Sequence, residues 1–129
     1  MSQENVEIVR KVYEALNRRD WDAAFHDTHP DFELTTQRGP TPGTRRGRTQ
    51  AQEFAEEYFM AFGKMIWDPE EFFGDRDQIV VFVRIDSQPK GGSVDMEVRI
   101  GHLWTIREGT ILSLKTFAVR EEALEAAGL

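Results

Sequence analysis

The sequence contains no cysteine, so neither a disulfide nor a thiolate metal site is open to this chain. It contains no apolar run long enough to span a bilayer, and its opening residues, MSQENVEIVRK, lack the apolar region of a secretory signal. Nor is there a basic excess. Lys and Arg number 16 against 23 Asp and Glu, and the formal charge of −7 opposes non-specific attraction to nucleic acid or to an anionic membrane. Internal repeats, low-complexity segments and a phosphate-cradling glycine loop are missing too. These absences leave a soluble, cytoplasmic chain as the expectation, with neither nucleic acid nor membrane as partner.

At 129 residues the chain is sized for one domain, spanning 1–129, that buries roughly two thirds of the surface its unfolded form exposes. Val6, Val9, Val12 or Tyr13, and Leu16 recur at spacings of three and four, which predicts a first helix with Ser2 placed to cap it. Asp20 is placed to cap a short second helix, WDAAFHD, which Pro30 cannot continue. In DFELTT, Phe32, Leu34 and Thr36 alternate with Glu33 and Thr35 as in a half-buried strand. Residues 37–48, QRGPTPGTRRGR, have turn chemistry and nothing to bury, so they read as a long loop. Thr49 and Gln52 match a capping box ahead of a third helix, AQEFAEEYFMAF, ended by Gly63.

After Gly63 the period changes to two. MIWDPEEFF, QIVVFVRIDS, SVDMEVRIGHLWTI and TILSLKTFAV are separated by GDRD, QPKGG and REG, which predicts an antiparallel meander of four strands. Pro69 lacks an amide donor, so the first of these strands lies at an edge or carries a bulge. REEALEAAGL reads as a terminal turn or two of helix. Helices first and strands second imply an α+β fold, the helices packed on one face of a strongly curved antiparallel sheet with an open-ended cone between them.

Four segments, VEIVRKVYEALNRRDWDAAFHDTHPDFEL, GTRRGRTQAQEF, GHLWTIREGTI and REEALEAAGL, resemble in their order the SnoaL-like branch of the nuclear transport factor two-like superfamily. The resemblance implies a cone-shaped fold, a homodimer and a pocket inside the cone. It implies no single activity, since the superfamily holds ketosteroid isomerase, polyketide cyclases, scytalone dehydratase, limonene epoxide hydrolase and binding proteins without chemistry. Matched to ketosteroid isomerase, DFELTT puts Thr36 at the position of the carboxylate base, and threonine cannot abstract a carbon-bound proton at neutral pH. The same matching puts Val12 at the position of the oxyanion-binding Tyr, with Tyr13 one step round the helix. It puts His102 at the position of the protonated Asp, or Gly101 if the register slips by one.

Period two places His102 with Val94, Met96, Val98, Ile100, Trp104 and Ile106 on the face toward the core. There an imidazole serves either as an acid or base for a bound ligand or as a buried structural histidine. Tyr13, Tyr58 and Thr36 are candidates to supply hydroxyls to the same cavity. Trp21, Trp67, Trp104, Phe32, Phe59 and Phe62, with Leu34, are candidate walls for a planar or terpenoid-like ligand, or ordinary core. His26, His29 and Asp31 have partial metal-ligand spacing, but no third ligand is fixed, so no metal and no cofactor is expected. Arg38, Arg45, Arg46 and Arg48 make the loop before helix three basic, which steers an acidic ligand or is solvated surface. Val80, Phe82, Leu103 and Phe117 make the sheet apolar on its outer face as well, from which a homodimer through the sheets is expected. Two functions stand open: a cofactor-independent isomerase, cyclase or lyase of a small hydrophobic substrate acting by proton transfer, and a binding or accessory dimer for an apolar metabolite.

Overall fold

The computed structural model describes residues 3–37 and 42–129; the Ser2 cap and Arg38 lie outside the described residues. Helix α1 (Gln3–Asn17) buries Val6, Val9, Val12, Tyr13, Ala15 and Leu16, the face read from the sequence. It ends in a left-handed Arg19 (φ 61°), with Arg19 N–H bonded to Leu16 O and Asp20 N–H to Ala15 O. This is a Schellman closure made without glycine. Asp20 Oδ1 accepts from Ala23 N–H and caps α2 (Trp21–Ala24), which is shorter than the WDAAFHD segment.

The chain then enters β1 (Thr28–Thr36), β2 (Gly43–Arg46), α3 (Arg48–Met60), β3 (Phe62–Asp75), β4 (Gln78–Pro89), β5 (Met96–Arg107), β6 (Thr110–Phe117) and α4 (Arg120–Ala126). The strands form one open sheet in the order β2-β1-β6-β5-β4-β3. The expected meander is present from β3 to β6, and Glu108 and Gly109, both at positive φ, make a two-residue turn between its last two strands.

The sheet is mixed rather than wholly antiparallel, because β1 runs parallel to β6. No hairpin joins these two strands, so no turn dictates their relative direction. The segment read as loop contains β2, which pairs with β1 from Glu33 opposite Arg46 to Thr36 opposite Gly43. Its Thr-Arg-Arg side chains give an edge strand no apolar alternation to read. Helix α3 begins one residue before Thr49, behind Gly47 at φ 89° and without a side-chain cap, so the capping box is not formed. Phe62 and Gly63 belong to β3 instead of ending that helix. Pro69 fits both of its alternatives, since β3 is an edge strand and its register shifts between Pro69 and Glu71. Pro30 falls in the corresponding break of β1 against β6, between Thr28 and Glu33.

Helices α1 to α3 cover the concave face, where the main core forms with Ile79, Val81, Val83, Ile85, Ile100, Trp104 and Ile106. The convex face carries a second cluster, Val80, Phe82, Leu103 and Phe117, capped by Ala123 of α4. A Cβ on Gly101 would lie 2.8 Å from Arg120 O and 2.9 Å from Ala123 Cβ, so glycine is what lets α4 approach. The outer apolar residues are therefore covered within the chain. They give no reason of their own to expect a dimer. Beyond α4 the convex face is charged, with Arg84 bonded to Asp68 and Asp86 and Arg99 to Glu70 and Glu97. No helix among the described residues is long and apolar enough to cross a membrane.

Candidate functional site

Between the concave face and the helices lies a cavity of about 140 Å³. Val12 and Leu16 of α1 form one wall, and Phe54, Ala55, Tyr58 and Phe59 of α3 another. The floor is the sheet: Phe32, Leu34 and Thr36 from β1, Ile111, Leu114 and Thr116 from β6, Ile100, His102 and Trp104 from β5, with Trp67 and Ile85 beyond. Ala24, Phe25 and Thr28 complete it. Its half-buried members are Phe25, Phe54, Ala55 and Tyr58 on the α2 and α3 side and Trp67 on β3. Among the described residues, no Asp or Glu lines it. Its volume is close to the roughly 150 Å³ of an engineered apolar cavity that takes up benzene, so it has room for one ring.

His102 is wholly buried and faces this cavity, because β5 pairs it with Val81 on one side and Thr116 on the other while Gly101 turns outward under α4. The register does not slip. Its Nδ1 lies 2.7 Å from the Tyr13 hydroxyl, and Trp104 Nε1–H donates to the same hydroxyl oxygen at 2.9 Å. Burial raises the Tyr13 phenol above its ordinary value, so the hydroxyl keeps its proton. His102 Nδ1 is the one acceptor within reach of that proton among the described contacts, so the network is assigned with Tyr13 donating to it. The imidazole is therefore the Nε2–H tautomer.

Burial also pushes the His102 ring down to about 3, so it is neutral at physiological pH. A neutral ring whose Nδ1 is occupied cannot serve as a base. Passing its Nε2 proton on would leave an anion on the ring or, by relay, a buried phenolate at Tyr13. What it has to offer is a hydrogen bond. His102 Nε2 and Trp67 Nε1 are buried and have no partner among the described residues, and the two rings lie 4.9 Å apart between centroids. Trp67 is held from behind by Asn17, whose side-chain amide accepts from Trp67 N–H and donates to Trp67 O, both at 2.9 Å.

A polar row crosses the floor. Thr116 sits opposite His102, and the parallel pairing of Thr35 with Lys115 brings Thr36 beside Thr116. Arg45, on the edge strand β2, donates to Thr36 Oγ1 at 3.3 Å and lies 4.0 Å over the Phe54 ring.

Of the candidate residues, His102, Tyr58, Thr36, Phe32, Leu34, Phe59, Trp67 and Trp104 line the cavity. Tyr13 does not; it stands behind His102 and orients it, its hydroxyl already committed on both sides. Trp21 packs edge-on against Phe59 from outside, and Phe62 lies against Tyr58, neither of them on the lining. Thr28, Thr116 and Phe54 also line the cavity, and sequence reasoning did not single them out. His26 pairs with Asp27, and His29 accepts from Asp31 N–H. Among the described residues no group of three or more His, Asp or Glu side chains is placed to hold a metal.

The family model for the SnoaL-like domain matches residues 9–114. The chain belongs to the SnoaL-like family. Comparison with curated proteins gives no match. Among solved structures, the SnoaL-like chain is similar to TerC co-crystallised with polyporic acid, at 24% identity and a TM-score of 0.81 over 97% of this chain and 98% of that one. It is equally similar to a nuclear transport factor two-like protein of unknown function from Burkholderia pseudomallei K96243, at 23% identity and a TM-score of 0.81 over the whole of both chains. A candidate SnoaL-like polyketide cyclase from Jannaschia sp. CCS1 follows at 20% identity and a TM-score of 0.77, over 98% and 94%. At these identities the likeness establishes the cone fold and nothing of the chemistry.

Proposed function

We propose that this SnoaL-like protein binds a small, one-ring apolar molecule through an oxygen that accepts from His102 Nε2–H. The observation that carries the reading is the buried, unpaired donor on the wall of a mostly apolar cavity. A buried N–H left without an acceptor costs about 1–3 kcal/mol, and a ligand oxygen would recover that cost where a hydrocarbon could not. Trp67 Nε1–H, on the neighbouring ring, is a second such donor.

Proton-transfer catalysis by the chain itself, as an isomerase, cyclase or lyase, is the weaker reading, because the lining contains no carboxylate among the described residues and its histidine is a neutral donor. An enzymatic role would be limited to polarising a carbonyl whose substrate carries its own base, the oxyanion being stabilised by the His102 hydrogen bond. A homodimer is proposed on the superfamily resemblance alone, and sedimentation at micromolar concentration finding only monomer would remove it.

The test is titration with acetophenone and phenol, followed by nitrogen-edited NMR of the His102 ring and by mass spectrometry of the recovered ligand. Saturable binding that moves the Nε2 resonance, is weakened in His102→Gln and returns the ligand unchanged is the expected result. No movement of that resonance with either compound would overturn the pocket reading, and a product peak would replace binding with catalysis.

A further inference from the structure

Two N–H groups on the cavity wall are fixed as donors, and neither can turn into an acceptor. An indole nitrogen only donates. The imidazole has one acceptor nitrogen, Nδ1, but the Tyr13 hydroxyl occupies it at 2.7 Å and leaves Nε2–H to the cavity. His102 Nε2 and Trp67 Nε1 are both buried without a partner among the described residues, and both residues line the cavity. Trp67 pairs with Ile85, itself a lining residue, so the two rings share the concave side of the sheet. They arrive from different strands, β5 and β3 on either side of β4, and approach to 4.9 Å between centroids at an angle of 55°. Each is anchored separately, His102 through Tyr13 and Trp67 through the two bonds of its backbone to Asn17.

We infer that His102 Nε2–H and Trp67 Nε1–H meet on one ligand oxygen, and that the ligand class is a one-ring compound whose carbonyl is conjugated to its ring. The inference rests on the pocket reading and deepens it. A carbonyl oxygen has two lone pairs and no proton, so it takes both donors at once. A hydroxyl oxygen accepts from the same pair, but its own proton then needs an acceptor that neither donor supplies. Thr116, paired opposite His102, turns its Oγ1 toward β1, where it accepts from Gln37 N–H at 3.4 Å, on the side away from β5. A hydrocarbon leaves both donors unpaired in a buried site, which is the costly arrangement. Conjugation keeps the carbonyl in the plane of its ring, and that flat group lies between aromatic walls, Phe59 standing 5.1 Å from Trp67.

The experiment titrates the protein with acetophenone, 1-phenylethanol and α-methylstyrene, which are of similar size and bear in turn a carbonyl, a hydroxyl and a methylene group. It reads affinity by calorimetry, the His102 Nε2 and Trp67 Nε1 resonances by NMR, and the carbonyl stretch of bound acetophenone by infrared spectroscopy. The expected result is that acetophenone binds about five- to ten-fold more tightly than either of the others. It moves both N–H protons downfield of their positions in the α-methylstyrene complex, and its stretch falls below the value in a hydrocarbon solvent. Trp67→Phe keeps an aromatic wall without the N–H, narrows the advantage of acetophenone over α-methylstyrene about five-fold and returns part of the stretch. Acetophenone that moves the His102 resonance and leaves that of Trp67 in place would overturn the shared oxygen while leaving the pocket reading intact. So would 1-phenylethanol binding as tightly as acetophenone, because a lining hydroxyl must then take the alcohol's proton. If no compound moves either resonance, the pocket reading fails and the inference fails with it. The resonances and the stretch are read on the wild-type protein, so they decide the matter even if Trp67→Phe unfolds.

Discussion

Acidification from pH 7 to pH 5 should destabilise the protein through His102. In the folded chain burial holds this ring down to about 3, whereas in the unfolded chain it titrates near 6.5. Below 6.5 the unfolded state therefore binds more protons than the folded one, and stability falls as pH falls. The contribution is complete above about pH 6.5 and is lost progressively down to the folded value. Linkage gives a loss of about 2 kcal/mol between pH 7 and pH 5, and about 1.4 kcal/mol for each further unit until about pH 3. The quantity to measure is a difference between two proteins that share every other ionisable group. Urea unfolding of the wild-type protein and of His102→Gln at half-unit steps isolates it, because His26, His29 and the carboxylates are common to both. The wild-type protein should begin more stable at pH 7 and lose that advantage by about 2 kcal/mol at pH 5. A difference that stays constant between pH 7 and pH 5 would refute the buried neutral ring, and with it the assignment of Nε2–H as a fixed donor.

Tyr13→Phe removes the acceptor of Trp104 Nε1–H and the donor to His102 Nδ1, and should cost about 2 kcal/mol in urea unfolding. It also frees the His102 tautomer, visible as a change in the ring nitrogen shifts. Gly101→Ala forces a methyl against the backbone of Arg120 and should lower stability by about 1–3 kcal/mol, with loss of hydrogen-exchange protection concentrated in α4. Asn17→Ala leaves the Trp67 amide and carbonyl without their side-chain partners, and should cost about 2 kcal/mol while broadening the Trp67 indole resonance.

Where local pattern and tertiary placement agree, the fold is legible in the sequence. The apolar face of α1, the Asp20 cap, the β3 to β6 meander and the Pro69 irregularity each follow from spacing or from one residue's covalent chemistry. The misread segments share a cause. Strand β2 is held by backbone pairing to β1 and exposes most of its side chains, so hydropathy has nothing to report. The β1 to β6 pairing joins segments far apart in the chain and is parallel without a hairpin to specify it. The outer apolar residues were visible, but the element covering them, α4, is only seven residues long and shows its purpose only through Gly101. An apolar outer face read as a subunit interface is thus, over that cluster, an intramolecular contact.

The site shows the same division at finer scale. Alternation was enough to put His102 on the cavity face, because one strand determines which residues share a side. Its chemistry was out of reach, because that is decided by what meets Nδ1. Tyr13 lies 89 residues away on α1, with its oxygen already engaged by Trp104. Had an aspartate met Nδ1 instead, the ring would have been held as a stronger base. Facing a neutral phenol whose proton has nowhere else to go, the same histidine is fixed as a donor. The residue that separates a base from a hydrogen-bond donor here touches no ligand, and Tyr13→Phe is for that reason a sharper probe of function than any substitution on the cavity wall.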